Sequence, residues 1–240
     1  MNKTASDFAD ISVPGYGNIN EIFLQKNQLH ACETLFGDPN AEMMILAQDA
    51  ADYKKFETDF LKTGINPYRH DASWPTNKNL FSFLKPFFNV GESVSNPNSK
   101  SCGVYYANAI WLLKKDGGAQ GPIVNSDAVI RECSKVFEAT IENLPNLKLI
   151  IALGAKAHEF LLFNSSGLPS SWRKAREDGP SICKVLGKKI LIGCTHHTGA
   201  RGIVNRAISA KKEGVIGSGS ALLQNDFARI LNKAGFERRF

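Results

Sequence analysis

Cysteine is scarce and scattered in this chain of 240 residues. Cys32, Cys102, Cys133, Cys183 and Cys194 never fall at C-x-x-C spacing, so neither a zinc ribbon nor an iron–sulfur site is signalled. An odd, dispersed set suits a reducing compartment better than a disulfide scaffold. No run approaches 18 apolar residues, and the opening MNKTASDFADISVPGYG lacks the apolar core of a signal peptide. A cytoplasmic protein without a membrane anchor is therefore expected. The P-loop, G-x-G-x-x-G and G-x-S-x-G motifs are missing too, which leaves an unrelated α/β hydrolase or nucleotide-binding enzyme without sequence support. Internal repeats and long low-complexity segments are also lacking.

What remains is an ordinary globular composition, with 43% hydrophobic and 22% charged residues, which excludes a wholly disordered chain. The length allows one to two domains. No convincing linker divides it, so residues 1–240 read as one domain, with 1–40 an N-terminal extension packed on it. The formal net charge is +6 and the pI is near 9.0. The charge is uneven. Residues 1–40 carry Lys3 and Lys26 against Asp7, Asp10, Glu21, Glu33 and Asp38, a net of −3. Residues 201–240 carry Arg201, Arg206, Lys211, Lys212, Arg229, Lys233, Arg238 and Arg239 against Glu213, Asp226 and Glu237, a net of +5. The C-terminal end is the side suited to a polyanion, unless these charges form only a solvated surface.

Four apolar runs of strand length stand out, at 42–49, 103–113, 147–154 and 188–197. Their near-continuous apolar character suits strands covered on both faces. Helical spacing appears at 79–90, where Pro86 ends or kinks the pattern, at 126–144, at 155–163 and at 220–235. A further helix begins near residue 202. Residues 91–103 and 164–182 read as loops. Alternation of strand and helix predicts a three-layer α/β/α fold on a central, mostly parallel, four-stranded sheet.

Ligands of open parallel sheets bind beyond the carboxyl ends of the strands. There the sequence places Gln48 and Asp49 after the first run, Asn108 within the second, Gly154 after the third, and His196, His197, Thr198, Gly199, Ala200 and Arg201 after the fourth. Each has an ordinary alternative. Asp49 suits a turn or helix cap, Asn108 a loop tie, one histidine a core position, and Arg201 a surface charge. Adjacent histidines point different ways, which disfavours a paired metal site.

Taken in order, these segments resemble the uracil-DNA glycosylase superfamily. LAQDAAD is similar to the family motif GQDPYH, with Gln48 and Asp49 in the matching places. His196 to Arg201 is similar to the HPSxxR motif. Asn108 in YYANAIWLL resembles the base-recognising amide, and ASWPTNKNLFSFL resembles the pocket segment of mismatch-specific members. The likeness spans about residues 40 to 205. Two departures stand out: Ala50 and Ala51 replace Pro-Tyr, and His197 and Thr198 replace Pro-Ser.

The resemblance implies a DNA repair glycosylase that flips out uracil or a related damaged base and hydrolyses its N-glycosidic bond. Asp49 stabilises the sugar cation and orients water, and His196 donates to the departing base. Asn108 reads the base edge. Tyr68 and Trp74, with Phe56 behind them, are the candidates to sandwich it, and Gln48 contributes its backbone. Thr198, Gly199 and Arg201 contact the DNA backbone, and Ile203 is a candidate wedge, its alternative being the first apolar residue of a helix. No metal, organic cofactor or Schiff-base lysine is implied. The partner is single- or double-stranded DNA, and the protein is expected to be a monomer. The alternative is a DNA- or modified-base-binding protein of the same fold, non-catalytic or of altered specificity.

Overall fold

A computed structural model describes residues 11–24, 38, 40–48, 53–63, 75–90, 103–115 and 126–239. Its elements, in chain order, are β1 (Tyr16–Asn18), α1 (Ile19–Leu24), β2 (Met43–Ala47), α2 (Tyr53–Thr63), α3 (Pro75–Leu84), β3 (Val104–Asn108), β4 (Leu112–Lys114), α4 (Asp127–Glu142), β5 (Leu149–Leu153), α5 (Ala155–Asn164), α6 (Trp172–Glu177), β6 (Ser181–Val185), β7 (Lys188–Thr195), α7 (Ala200–Lys212) and α8 (Gly219–Lys233).

The central sheet has the order β3-β2-β5-β7-β6. The first four strands are parallel and β6 runs antiparallel to β7. The four expected strands are all present, but the sheet has five. The fifth, β6, begins at the end of the stretch read as loop, 164–182, and continues into the residues before the fourth apolar run. A two-residue turn makes it possible, because Leu186 (φ 49°) and Gly187 (φ 78°) both adopt positive φ between the paired Val185 and Lys188. That is the backbone of a tight hairpin, but Leu-Gly is not a dipeptide that announces one. The run at 103–113 also divides. Residues beyond Asn108 leave the main sheet, and β4 pairs instead with β1 as a two-stranded ribbon.

Right-handed crossovers fix the layers. The chain moves one way across the sheet from β2 to β3, then the other way from β3 to β5 and β7. The connecting helices therefore fall on opposite faces. α4 and α5 share one face, where Phe137 meets Phe160 edge-on at 5.5 Å. α3 and α8 share the other, where Phe83 meets Phe227 at 5.5 Å. β5 is buried throughout, as expected for a strand covered on both sides. Ser126 caps α4 by accepting from the Val129 N–H, and Ser218 caps α8 by accepting from the Ala221 N–H. Ile11, Ile19 and Ile22 of the N-terminal segment belong to the same continuous core as the sheet. Among the described residues, no helix is long and apolar enough to cross a membrane.

Candidate active site

Register aligns the carboxyl ends of the parallel strands. Ala47 pairs with Asn108, Leu46 with Ala152, and Leu153 with Thr195. The strand order reverses between β2 and β5, and such a switch point leaves a crevice at the strand ends. A hollow of about 810 Å³ opens there. Gln48 follows β2, Asn108 ends β3, Gly154 follows β5, and His196 and His197 follow β7; all five line the hollow. Gly154 turns β5 directly into α5 at φ 94°, a conformation that disfavours residues with a Cβ.

Both histidines contribute to the lining of the hollow. His197 is held by its own loop. Its Nδ1 accepts a hydrogen bond from the Gly199 N–H at 3.0 Å, so the ring proton resides on Nε2. Burial pushes the His197 pKa down, which keeps the ring neutral at pH 7. His197 is thus a neutral Nε2–H donor at the rim. His196 is half-buried, and its Nε2 is shielded from solvent without a hydrogen-bond partner among the described residues. An orphaned polar atom of this kind carries a desolvation cost. Burial is the main cause that pushes the His196 pKa down to about 4, with Arg176 and Arg206 adding to it and Asp226 and Glu213 opposing. Trp172 lies edge-on to the His196 ring at 6.0 Å and to His158 at 5.6 Å.

The loop carrying His197 is tied down on two sides. Thr198 Oγ1 donates to the Thr76 carbonyl at 2.9 Å, and Asn79 Nδ2 donates to the Thr198 carbonyl at 2.8 Å, so α3 holds the loop from across the hollow. On the α7 side, a Cβ at Gly202 would lie 1.8 Å from the His197 carbonyl oxygen. Only a residue without a side chain allows the helix to approach that closely.

These contacts revise three expected roles. Thr198 is fully buried with its hydroxyl engaged, and the Gly199 N–H is engaged by His197. Neither group is left for a phosphate; both orient the histidine. Ile203 packs against the core, whereas its neighbours Arg201 and Val204 are exposed. Helical geometry decides this, because α7 buries the side of Ile203 and turns Val204 outward. Asp49, Tyr68 and Trp74 lie outside the described residues, as does the side chain of Phe56. Among the described residues, other aromatic side chains line the hollow. Tyr106, Phe81 and Trp172 line it, with Phe81 edge-on to Tyr106 at 6.1 Å. Tyr106 sits two residues before Asn108 on the same strand face, which strand periodicity makes readable. Trp172 stands in the stretch mistaken for loop.

Behind the histidines lies a cluster of ion pairs. Arg206 of α7 binds Asp226 of α8 through Nε at 2.6 Å and through its second terminal nitrogen at 3.2 Å. Arg206 also reaches Glu213 at 3.4 Å, and Arg176 of α6 binds Glu213. Arg229 donates to the carbonyls of Arg176 and Glu177, and Lys233 to that of Asp178. These cations satisfy the open carbonyl end of α6 and so fix the short helix that carries Trp172. Compared with known proteins, the sequence matches no protein-family model, and a search of curated proteins returns no significant match.

Proposed function

We propose that the chain is a monofunctional DNA glycosylase that hydrolyses the N-glycosidic bond of uracil or a related damaged base after flipping it from the stack. The observation that carries this reading is the convergence of Asn108 and a neutral, tautomer-fixed His197 on one hollow at the strand-order switch point. The motif resemblance, which rests partly on the same residues, points the same way.

In the proposed reaction, the C1′–N bond breaks as the base leaves with the bonding electrons. Water supplies the new C1′–O bond, and its proton ends on the base. Charge builds on the base carbonyl oxygen, where a preorganised neutral donor is worth most. His197 Nε2–H fits that task better than His196, to which the sequence pattern assigned it. His196 remains a second neutral imidazole on the same wall. Asn108 reads the base edge, offering one donor and one acceptor in a site where a mismatched base leaves buried polar groups unpaired. Asp49, next in sequence after Gln48, is the carboxylate proposed to stabilise the sugar cation and orient water.

The test is base release from single- and double-stranded oligonucleotides carrying uracil, mismatched thymine or deaminated purines, with alkali revealing abasic sites. Cleavage on at least one of them, strongly reduced by His197→Ala and slowed by Asp49→Asn with binding retained, is expected. Salt-sensitive binding without abasic sites on any of them would leave a binding module and end the enzymatic reading.

A further inference from the structure

We infer that the outer face of α7 is a track for the polynucleotide strand flanking the extruded base. The inference deepens the glycosylase reading of the hollow and rests on it. At about 810 Å³ the hollow lies in the upper range of sites that enclose whole drug-sized ligands. A single base leaves most of it empty. One wall of it is a single helix. α7 lines the hollow with Arg201, Asn205, Ile208 and Ser209, positions i, i+4, i+7 and i+8 of a single helical face. Eight residues of helix measure about 12 Å, the axial length of three to four nucleotides at about 3.4 Å each along a strand. Lys212 falls on the same face just beyond.

Charge complementarity selects the occupant. α7 contains no acidic residue. Arg201, Lys211 and Lys212 are exposed, and no carboxylate pairs with them among the described residues. Phosphates at the two ends of the face would meet Arg201 and Lys212, contacts that fix position without reading sequence. Between them Ile208 is 50% exposed, and Val204 beside it 56%. Such apolar groups between two cations suit the sugars and base faces of a strand better than water.

The test is fluorescence anisotropy of the full chain with a labelled oligothymidylate, which contains no uracil and so reports the track apart from base release. Asn205→Glu and Ser209→Glu place a negative charge on the track and should weaken binding by roughly tenfold, because each opposes phosphate contacts. Asn146→Glu adds the same charge at an exposed site before β5, at the opposite end of the sheet, and should change affinity less than twofold. Ser209→Lys should tighten binding and steepen the log–log salt dependence by about 0.7, which keeps the question decidable if an acidic variant folds poorly. The track is overturned if all the charge variants match Asn146→Glu, or if the wild-type chain does not bind the oligonucleotide. Binding through α7 by a protein that releases no base would uphold the track and remove the glycosylase reading alone.

Discussion

The two sides of α7 each carry an arginine, and the two are used in opposite ways. Arg206 faces inward, 7% exposed, and is bound twice by Asp226 and once by Glu213. Arg201 faces outward at the mouth of the hollow. The same guanidinium is an internal staple where carboxylates meet it away from water, and a free contact where none does. The basic C-terminal region must be read accordingly. Arg206, Arg229 and Lys233 are committed to the fold, and Arg238 lies 5.7 Å from the Phe87 ring. The cations open to a polyanion are fewer than a count suggests, and those of α7 lie on one face.

Breaking the inward side should produce the largest effect. Arg206→Ala leaves Asp226 buried and without its main partner and is expected to cost about 3–5 kcal/mol in urea unfolding. Arg201→Ala should stay within about 0.5 kcal/mol while weakening nucleic-acid binding at every sequence. Equal stability losses from the two substitutions would erase the distinction.

Next in size is a purely chemical effect. His197→Ala should lower base release about 10²- to 10³-fold, the usual consequence of losing one charge-stabilising donor, with little change in oligonucleotide affinity. His196→Ala should cost less. The reverse order, measured in single-turnover base release, would return the donor role to His196.

How much of this was readable in advance depends on how local the cause is. The four parallel strands and α4 follow from apolar runs and helical spacing. β6 is hidden because Ser181 and Lys184 break its apolar pattern and its turn depends on a leucine at positive φ. The polar residues at the strand ends could be gathered from the rule for parallel sheets, and Asn108 and both histidines do meet at one hollow. The division of labour between them could not, because it depends on which N–H reaches which ring nitrogen. Thr198 and Gly199 looked like phosphate ligands until their hydrogen bonds to Thr76 and His197 were visible. Trp172 was out of reach because α6 is six residues long and is held by side chains of α8 more than 50 positions away.

A smaller effect tests the close approach between helix and histidine loop. Gly202→Ala pushes a methyl group into the His197 carbonyl and should destabilise by about 1–3 kcal/mol. Because the displaced group belongs to the proposed donor, base release should fall by more than the loss of folded protein explains. A stable variant with full activity would mean that the spacing of α7 does not position His197.

The smallest effect is an acid-side slope in stability, and it sharpens the same contrast between the inward cations and the site in front of them. His196 faces Arg176, Arg206, Asp226 and Glu213, and its pKa falls from 6.5 to about 4 mainly through burial. The unfolded chain therefore binds the proton more readily than the native one between those values. Stability falls as the pH drops from about 6.5 to about 4 and is unaffected by this group above that window. Solvent screening of the half-buried ring limits the loss to on the order of 1 kcal/mol. Glu213 acts in the same direction at lower pH: its hydrogen bond to Arg176 lowers its pKa below 4.5, so its contribution is present above that value and is lost as the carboxylate is protonated. His196→Gln removes the first slope and leaves the second. Urea midpoints recorded from pH 7 to pH 4 should therefore decline more steeply for the wild type than for His196→Gln, in which only His197, whose pKa burial also lowers, and Glu213 still act. Coincident curves would mean that the imidazole is as well hydrated in the fold as in the unfolded chain, and that the cations behind it do not act on the site.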